Sequence, residues 1–240
     1  MGIGRPPVDA GREGVTNQVR PQRRLRRLDL AASDSEQNAH SMIKISLTDF
    51  VDIASKSGTP KATKVAQVKA RPDYEPKFDF YRPIRERIIE IHKNGREGGS
   101  LRSFLQALTD RKKIKNYPDL VEGYLNWLGR KKLEWSDPPR KLYRSSGVDV
   151  IVNPELCVSF AEETHLIKLY FKDESLDRFK VDVILSLIDH VLRSHCPEGT
   201  IISVLDVRRS KLFSWRASSR SRMALVDAEL AYIASLWPHV

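Results

Sequence analysis

The chain has 240 residues, 40% hydrophobic and 30% charged, the balance of a globular protein with room for one substantial domain or two small ones. No apolar run approaches the roughly 18–20 residues of a membrane span, and the opening "MGIGRPPVDAGREG" lacks the apolar core of a secretory signal. Cys157 and Cys196 stand far apart with no CxxC or histidine at ligand spacing, which argues against a disulfide or zinc site and reads as reduced core thiols in a cytoplasmic protein.

Residues 1–41 are rich in Gly, Pro, Ser and Arg without a sustained apolar period, so a disordered tail or non-native upstream extension is expected there, with Met42 as the natural start. The formal net charge of +10 concentrates beyond it: residues 42–147 carry 23 Lys and Arg against 13 Asp and Glu, whereas residues 148–240 carry 11 against 13. Such asymmetry fits an anionic partner docking on one part of the molecule, and equally fits Lys-rich solvated helix faces.

Residues 42–147 read as a basic helical region. Ser46 caps a short helix with Leu47, Phe50, Val51 and Ile53 on its apolar side. A polar connector, "KSGTPKATKVAQVKARPDYEPKFD", follows. The next helix runs from about Pro83 to Lys93, with Ile84, Ile88 and Ile91 on one face and Gly95 closing it. Ser100 caps "LRSFLQAL", and "YPDLVEGYLNWLGRKK" forms a third helix with a broad apolar surface. The intervening "TDRKKIKN" is longer than the turn of a helix-turn-helix, which favours a helical cap packed on a sheet. Basic clusters lie at its ends, Arg111, Lys112, Lys113 and Lys115 at one and Arg130, Lys131 and Lys132 at the other. Tyr117, Trp127 and Trp135 among them offer base stacking or, more commonly, core packing.

Residues 148–240 are strand-rich, and the two regions are expected to pack as one domain. Val148–Phe160 reads as one strand or a bulged pair interrupted by Pro154. A hairpin turn near Glu162 leads into Thr164–Lys172. Leu176–Arg193 is a helix of sustained period capped by Ser175. "TIISVLDV" is a central strand, "RRSK" turns into "LFSW", and a last helix runs from about Ser219 to Leu236. The expected fold is α/β (α+β), a mixed central sheet flanked by helices.

Strand alternation puts Asp149 and Glu155 on one side, with Glu155 opposite or diagonal to Lys168. Two carboxylates and a lysine are the inventory of a hydrolytic metal site and, more commonly, of an ion-paired sheet face. Asp206 ends a strand beside Arg208 and Arg209, where it could act in an open sheet or simply anchor the turn. No P-loop, GxGxxG or GxSxG is present.

The order helix, hairpin, helix, strand over Pro83–Val207 resembles the restriction-endonuclease-like, or PD-(D/E)XK, superfamily. The resemblance implies a nuclease-like site in which Asp149 and Glu155 hold magnesium and Lys168 assists the attacking water. The positions two before Lys168 and Lys172 are Leu166 and Tyr170 where that family carries an acid, so cleavage is expected to be weak or lost. "VNPELCVSF", "HLIKLYFK" and "VLDVRRSKLF" also resemble segments of an uncharacterised bacterial protein family. The function expected is nucleic-acid association, with phosphate contacts from the two clusters and from Arg208 and Arg209. The alternative is an interaction module that binds an acidic protein partner.

Overall fold

The computed structural model describes residues 1–2, 43–72, 75, 79–95, 99–215 and 220–240. The chain divides into two units, Met1–Ser41 and Met42–Val240. The tail expected over residues 1–41 lies, beyond Met1 and Gly2, outside the described residues, and the elements given below lie in the second unit.

β1 (Ile43–Ser46) runs directly into α1 (Leu47–Ala54). Ser46 caps this helix as its sequence predicts, its Oγ accepting the Asp49 N–H at 3.0 Å. Leu47, Phe50, Val51 and Ile53 are all buried. The stretch read as a polar connector contains α2 (Gly58–Lys69), which buries a single residue, Val65. A helix that buries so little shows no apolar period. α3 (Arg82–Lys93) turns Ile84, Ile88 and Ile91 inward, and α4 (Ser100–Gln106) buries Leu101.

α5 (Arg111–Leu128) begins earlier than its apolar period indicates. The Asp110 carboxylate accepts the N–H groups of Lys112 and Lys113 at 2.8 and 3.1 Å, so "RKKIKN" is helix rather than spacer. The connection from α4 is therefore residues 107–110, short enough for a helix-turn-helix, and spacer length does not exclude that motif. Packing defines the role of α5 in this fold. α5 buries Tyr117, Leu120, Tyr124 and Trp127 in one cluster with Leu156, Val158, Ile167 and Leu205 of the sheet. Each such side chain contributes roughly 1.5–3 kcal/mol by leaving water, which fixes α5 as a cap. At Gly123 an added Cβ would sit 2.2 Å from the Val207 carbonyl oxygen, so only glycine permits this approach.

The remaining elements are β2 (Glu134–Ser136), β3 (Lys141–Ser145), β4 (Val148–Val152), β5 (Leu156–Phe160), β6 (Glu163–Tyr170), α6 (Arg178–Leu192), β7 (Ile201–Asp206), β8 (Lys211–Trp215) and α7 (Arg220–Leu236). Two corrections follow. Residues 42–147 are not purely helical, since they supply β1, β2 and β3. The strands also form two mixed sheets rather than one, a three-stranded β1-β4-β3 and a five-stranded β2-β5-β6-β7-β8. The fold is α+β, with β1 parallel to β4, β6 parallel to β7, and the other pairs antiparallel.

β5 and β6 form the expected hairpin. Ala161 and Glu162 form its two-residue turn, both at positive φ (49° and 63°), the conformation that matches strand twist. α6 is the crossover between the parallel strands β6 and β7, capped by Asp177 rather than Ser175. Its cluster takes in the three-stranded sheet, α1, α7 and the Cys157, Leu166 and Ile202 face of the larger sheet. The five-stranded sheet thus carries α3–α5 on one face, and α6, α7 and the smaller sheet on the other.

Candidate nucleic-acid interface and cleft

Asn153, Pro154 and Glu155 carry the chain from one sheet to the other. Pro154 has no N–H for a ladder, so strand pairing ends there. Val152 still pairs with Lys141 in the small sheet, and Leu156 already pairs with Ile167 in the large one. The Glu155 N–H completes that ladder to the Ile167 carbonyl at 3.1 Å. Beyond it β6 has lost its neighbour on this side, and the Glu155 side chain takes the neighbour's place. Its Oε2 accepts the Leu169 N–H at 2.7 Å, and its Oε1 accepts from Lys168 Nζ at 2.6 Å. Lys168 Nζ also donates to the Asn153 carbonyl at 3.1 Å. Both side chains are buried.

Where β5 is missing, a cleft of about 580 Å³ opens over the C-terminal end of β6. Its lining holds Phe80, Tyr81 and Phe171, with Tyr81 stacked on Phe171 at 5.6 Å and 17° and Phe80 edge-on to Tyr81 at 5.0 Å. It also holds charged pairs. Asp49 accepts from Arg71 at 2.7 Å, and Asp79 accepts from Arg85 at 2.7 Å. Lys172 donates to Asp52 just behind the lining. Tyr170 also lines the cleft; its Oη is buried and meets no hydrogen-bond partner among the described residues. Burial, and after it the negative field of Asp52, Glu174 and Asp206, push this phenol well above its ordinary pKa. Tyr81 is raised too, by burial, with the Arg208 guanidinium opposing.

The basic residues divide by their surroundings. Arg111, Lys112 and Lys115 are exposed and Lys113 half-buried on the first turns of α5, which carry no acid. Backbone N–H groups from Lys113 and Lys112, and then their charges, hold Asp110 below the usual carboxylate range. Arg130, Lys131 and Lys132 are exposed just beyond the other end of α5. Lys131 Nζ lies 5.3 Å from the Trp127 ring centroid and donates to the Trp127 carbonyl. Arg208 and Arg209 are committed internally. Arg208 donates to Asp119 at 3.0 Å and lies 3.6 Å from Asp173, while Arg209 pairs with Asp206 at 3.4 Å. Asp206 also accepts the Arg209 N–H at 3.3 Å, so it anchors this turn. Tyr117, whose Oη donates to the Phe80 carbonyl, and Trp127 are buried, which takes both out of consideration for base stacking.

Asp149 is not brought to the cleft. It lies on β4 in the other sheet, opposite Lys44 and Arg144 in register, 3.2 Å from Arg144 Nε. The change of sheet at Pro154 breaks the alternation that would have put it beside Glu155. Both Glu155 oxygens are engaged, and among the described residues no three His, Cys, Asp or Glu side chains gather as a metal site. The pair Asp149 and Glu155 therefore does not fit a magnesium ion, and the arrangement at Lys168 is an ion-paired strand end.

The residues that sequence reasoning missed are those of the cleft wall, Asp49, Arg71, Asp79, Tyr81, Arg85 and Tyr170. Aromatic and charged residues interleaved in "DFYRPIR" were the available signal, and the helix period of Ile84, Ile88 and Ile91 overshadowed it. Both cysteines are free, with burial pushing each thiol up. No helix among the described residues is long and apolar enough to cross a membrane. The chain matches no family model and no curated protein.

Proposed function

We propose that the protein binds nucleic acid through its phosphates, on a fold of the restriction-endonuclease-like kind whose hairpin serves as scaffold and not as a metal-dependent cleavage site. The antiparallel run β2-β5-β6 followed by a helical crossover to a parallel β7 supports the fold reading. One observation carries the binding. Arg111, Lys112, Lys113 and Lys115 crowd the positive end of the α5 dipole, where the first turn carries no acid and the neighbouring Asp110 carboxylate is taken up by the Lys112 and Lys113 N–H groups. Cations there oppose the dipole and repel one another, an arrangement that an arriving phosphate relieves. Arg130, Lys131 and Lys132 offer a second anchor roughly 27 Å away along the 18-residue helix.

The test is affinity for DNA and RNA across a salt series, with the charge-reversed variant Arg111→Glu/Lys112→Glu/Lys115→Glu beside the parent. Binding should fall steeply with salt, and the variant's log–log slope should drop by about 0.7–0.9 for every phosphate contact removed. Unchanged affinity and slope in the variant would refute the assignment. Tighter binding to polyglutamate than to either nucleic acid would indicate an acidic protein partner instead.

A further inference from the structure

We infer that the cleft between α1 and α3 receives one unstacked nucleobase of a single-stranded nucleic acid whose phosphates lie on the N-terminal turns of α5. This rests on the nucleic-acid reading and deepens it. The lining carries four carboxylates, Asp49, Glu75, Asp79 and Glu155, against four cations, Arg71, Arg85, Lys168 and Lys172. Its charges cancel, so it holds no net attraction for a phosphate. Paired carboxylates and guanidiniums instead present donors and acceptors side by side, which the edge of a base requires. Phe80 and Tyr81 are half-buried and contribute an aromatic wall, and stacking on such a wall is sequence-tolerant. Tyr170 lines this space too, and its buried hydroxyl has no hydrogen-bond partner among the described residues. A volume near 580 Å³ falls in the range of small-ligand sites.

The cleft and the cations are neighbours. Tyr117, on the buried face of α5, touches Phe80 with ring centroids 5.6 Å apart and donates to its carbonyl. A strand following the α5 cations therefore passes beside the cleft. A base inside a duplex cannot enter such a space without unpairing and unstacking, whereas a single strand meets little of that cost.

The experiment measures anisotropy of labelled single-stranded DNA, single-stranded RNA and blunt duplex of equal length at low salt. Two cleft variants are compared with the parent: Tyr81→Ala, which removes part of the aromatic wall, and Thr48→Trp, which adds bulk at another lining position without changing charge. Thermal melts confirm that each is folded, and Thr48→Trp keeps the test open if Tyr81→Ala fails to fold. The expected result is at least tenfold tighter binding of single strand than duplex. Each folded variant should lose about tenfold on single strands and change less than twofold on duplex. An oligomer of abasic sugar phosphates should compete like duplex. Equal single-strand and duplex affinity, or variants that weaken both alike, would overturn the base site while leaving phosphate binding in place. Absence of binding to all three probes would overturn the parent reading and the base site together. The DNA and RNA arms decide which strand chemistry the cleft takes.

Discussion

Replacing Glu155 with alanine removes the acceptor of two buried donors at once. Lys168 Nζ, 2.6 Å from one oxygen, would keep only the Asn153 carbonyl, and the Leu169 N–H would lose its sole partner. Breaking a buried ion pair from one side costs about 3–5 kcal/mol, and an orphaned buried N–H about 1–3 kcal/mol. The adjoining cleft lets water reach part of this vacancy, so the lower end, about 3 kcal/mol, is expected. Lys168→Met leaves the Leu169 bond intact and should cost less, about 2 kcal/mol, mostly from an unpaired carboxylate. Glu155→Gln/Lys168→Met removes both charges and retains an acceptor for Leu169, so it should be more stable than Lys168→Met alone. Urea unfolding of these variants, with Glu155→Gln alone beside them, closes the cycle over Glu155→Gln and Lys168→Met. A Glu155→Ala change of under about 0.5 kcal/mol, or a double variant weaker than both single replacements, would refute the strand-end role and reopen a chemical one.

At Gly123 even an alanine should be costly, about 1–3 kcal/mol, because its Cβ would meet the backbone oxygens of Val207 and Arg208 at 2.2 and 2.9 Å; a thermal melt close to the parent's would show that α5 does not lie this near the β7–β8 turn. Tyr170→Phe should raise stability by up to about 1 kcal/mol, since it deletes an unpaired buried hydroxyl, and a clear loss in the same melt would reveal a partner for it. Burial lowers His92 from its ordinary 6.5 to about 4. The unfolded chain therefore takes up this proton first, and the contribution present above pH 6.5 is lost as pH falls toward 4. His92→Asn should flatten that part of the stability profile, and an NMR titration placing His92 near 6.5 would contradict the burial argument.

Much of the fold was legible where neighbours in sequence are neighbours in space. The Ser46 cap, the period of α6 and a hairpin turn near Glu162 are local features, and each sits where its residues indicate. The β5–β6 register also follows from the turn, which is why Glu155 faces Lys168. What failed depended on partners distant in the chain. "IKIS" is a strand because it lies along β4, about a hundred residues later, and nothing within four residues announces that. α2 offered one buried side chain, too few to set a period. The start of α5 hid behind lysines, with a single aspartate as its signal. The intended pairing of Asp149 with Glu155 failed at one residue, Pro154, where the chain passed to a different sheet instead of bulging within one. The cleft was illegible for the same reason, since its walls come from four separate segments.

The late arrival of β4, β5 and β6 has a consequence during synthesis. Ribosomes add about 5–20 residues each second, so α1 through α5 emerge seconds before the strands that will cover them. Until then Phe50, Ile88, Tyr124 and Trp127 have no sheet to lie against, and β1 has no partner for its ladder. The nascent chain must carry this apolar surface through the ribosomal exit and beyond, where it is a natural substrate for chaperones that hold hydrophobic segments. Translation slowed between residues 130 and 170 would prolong that interval, and loss of yield from such a pause would arise before the native contacts with the sheet exist to be broken.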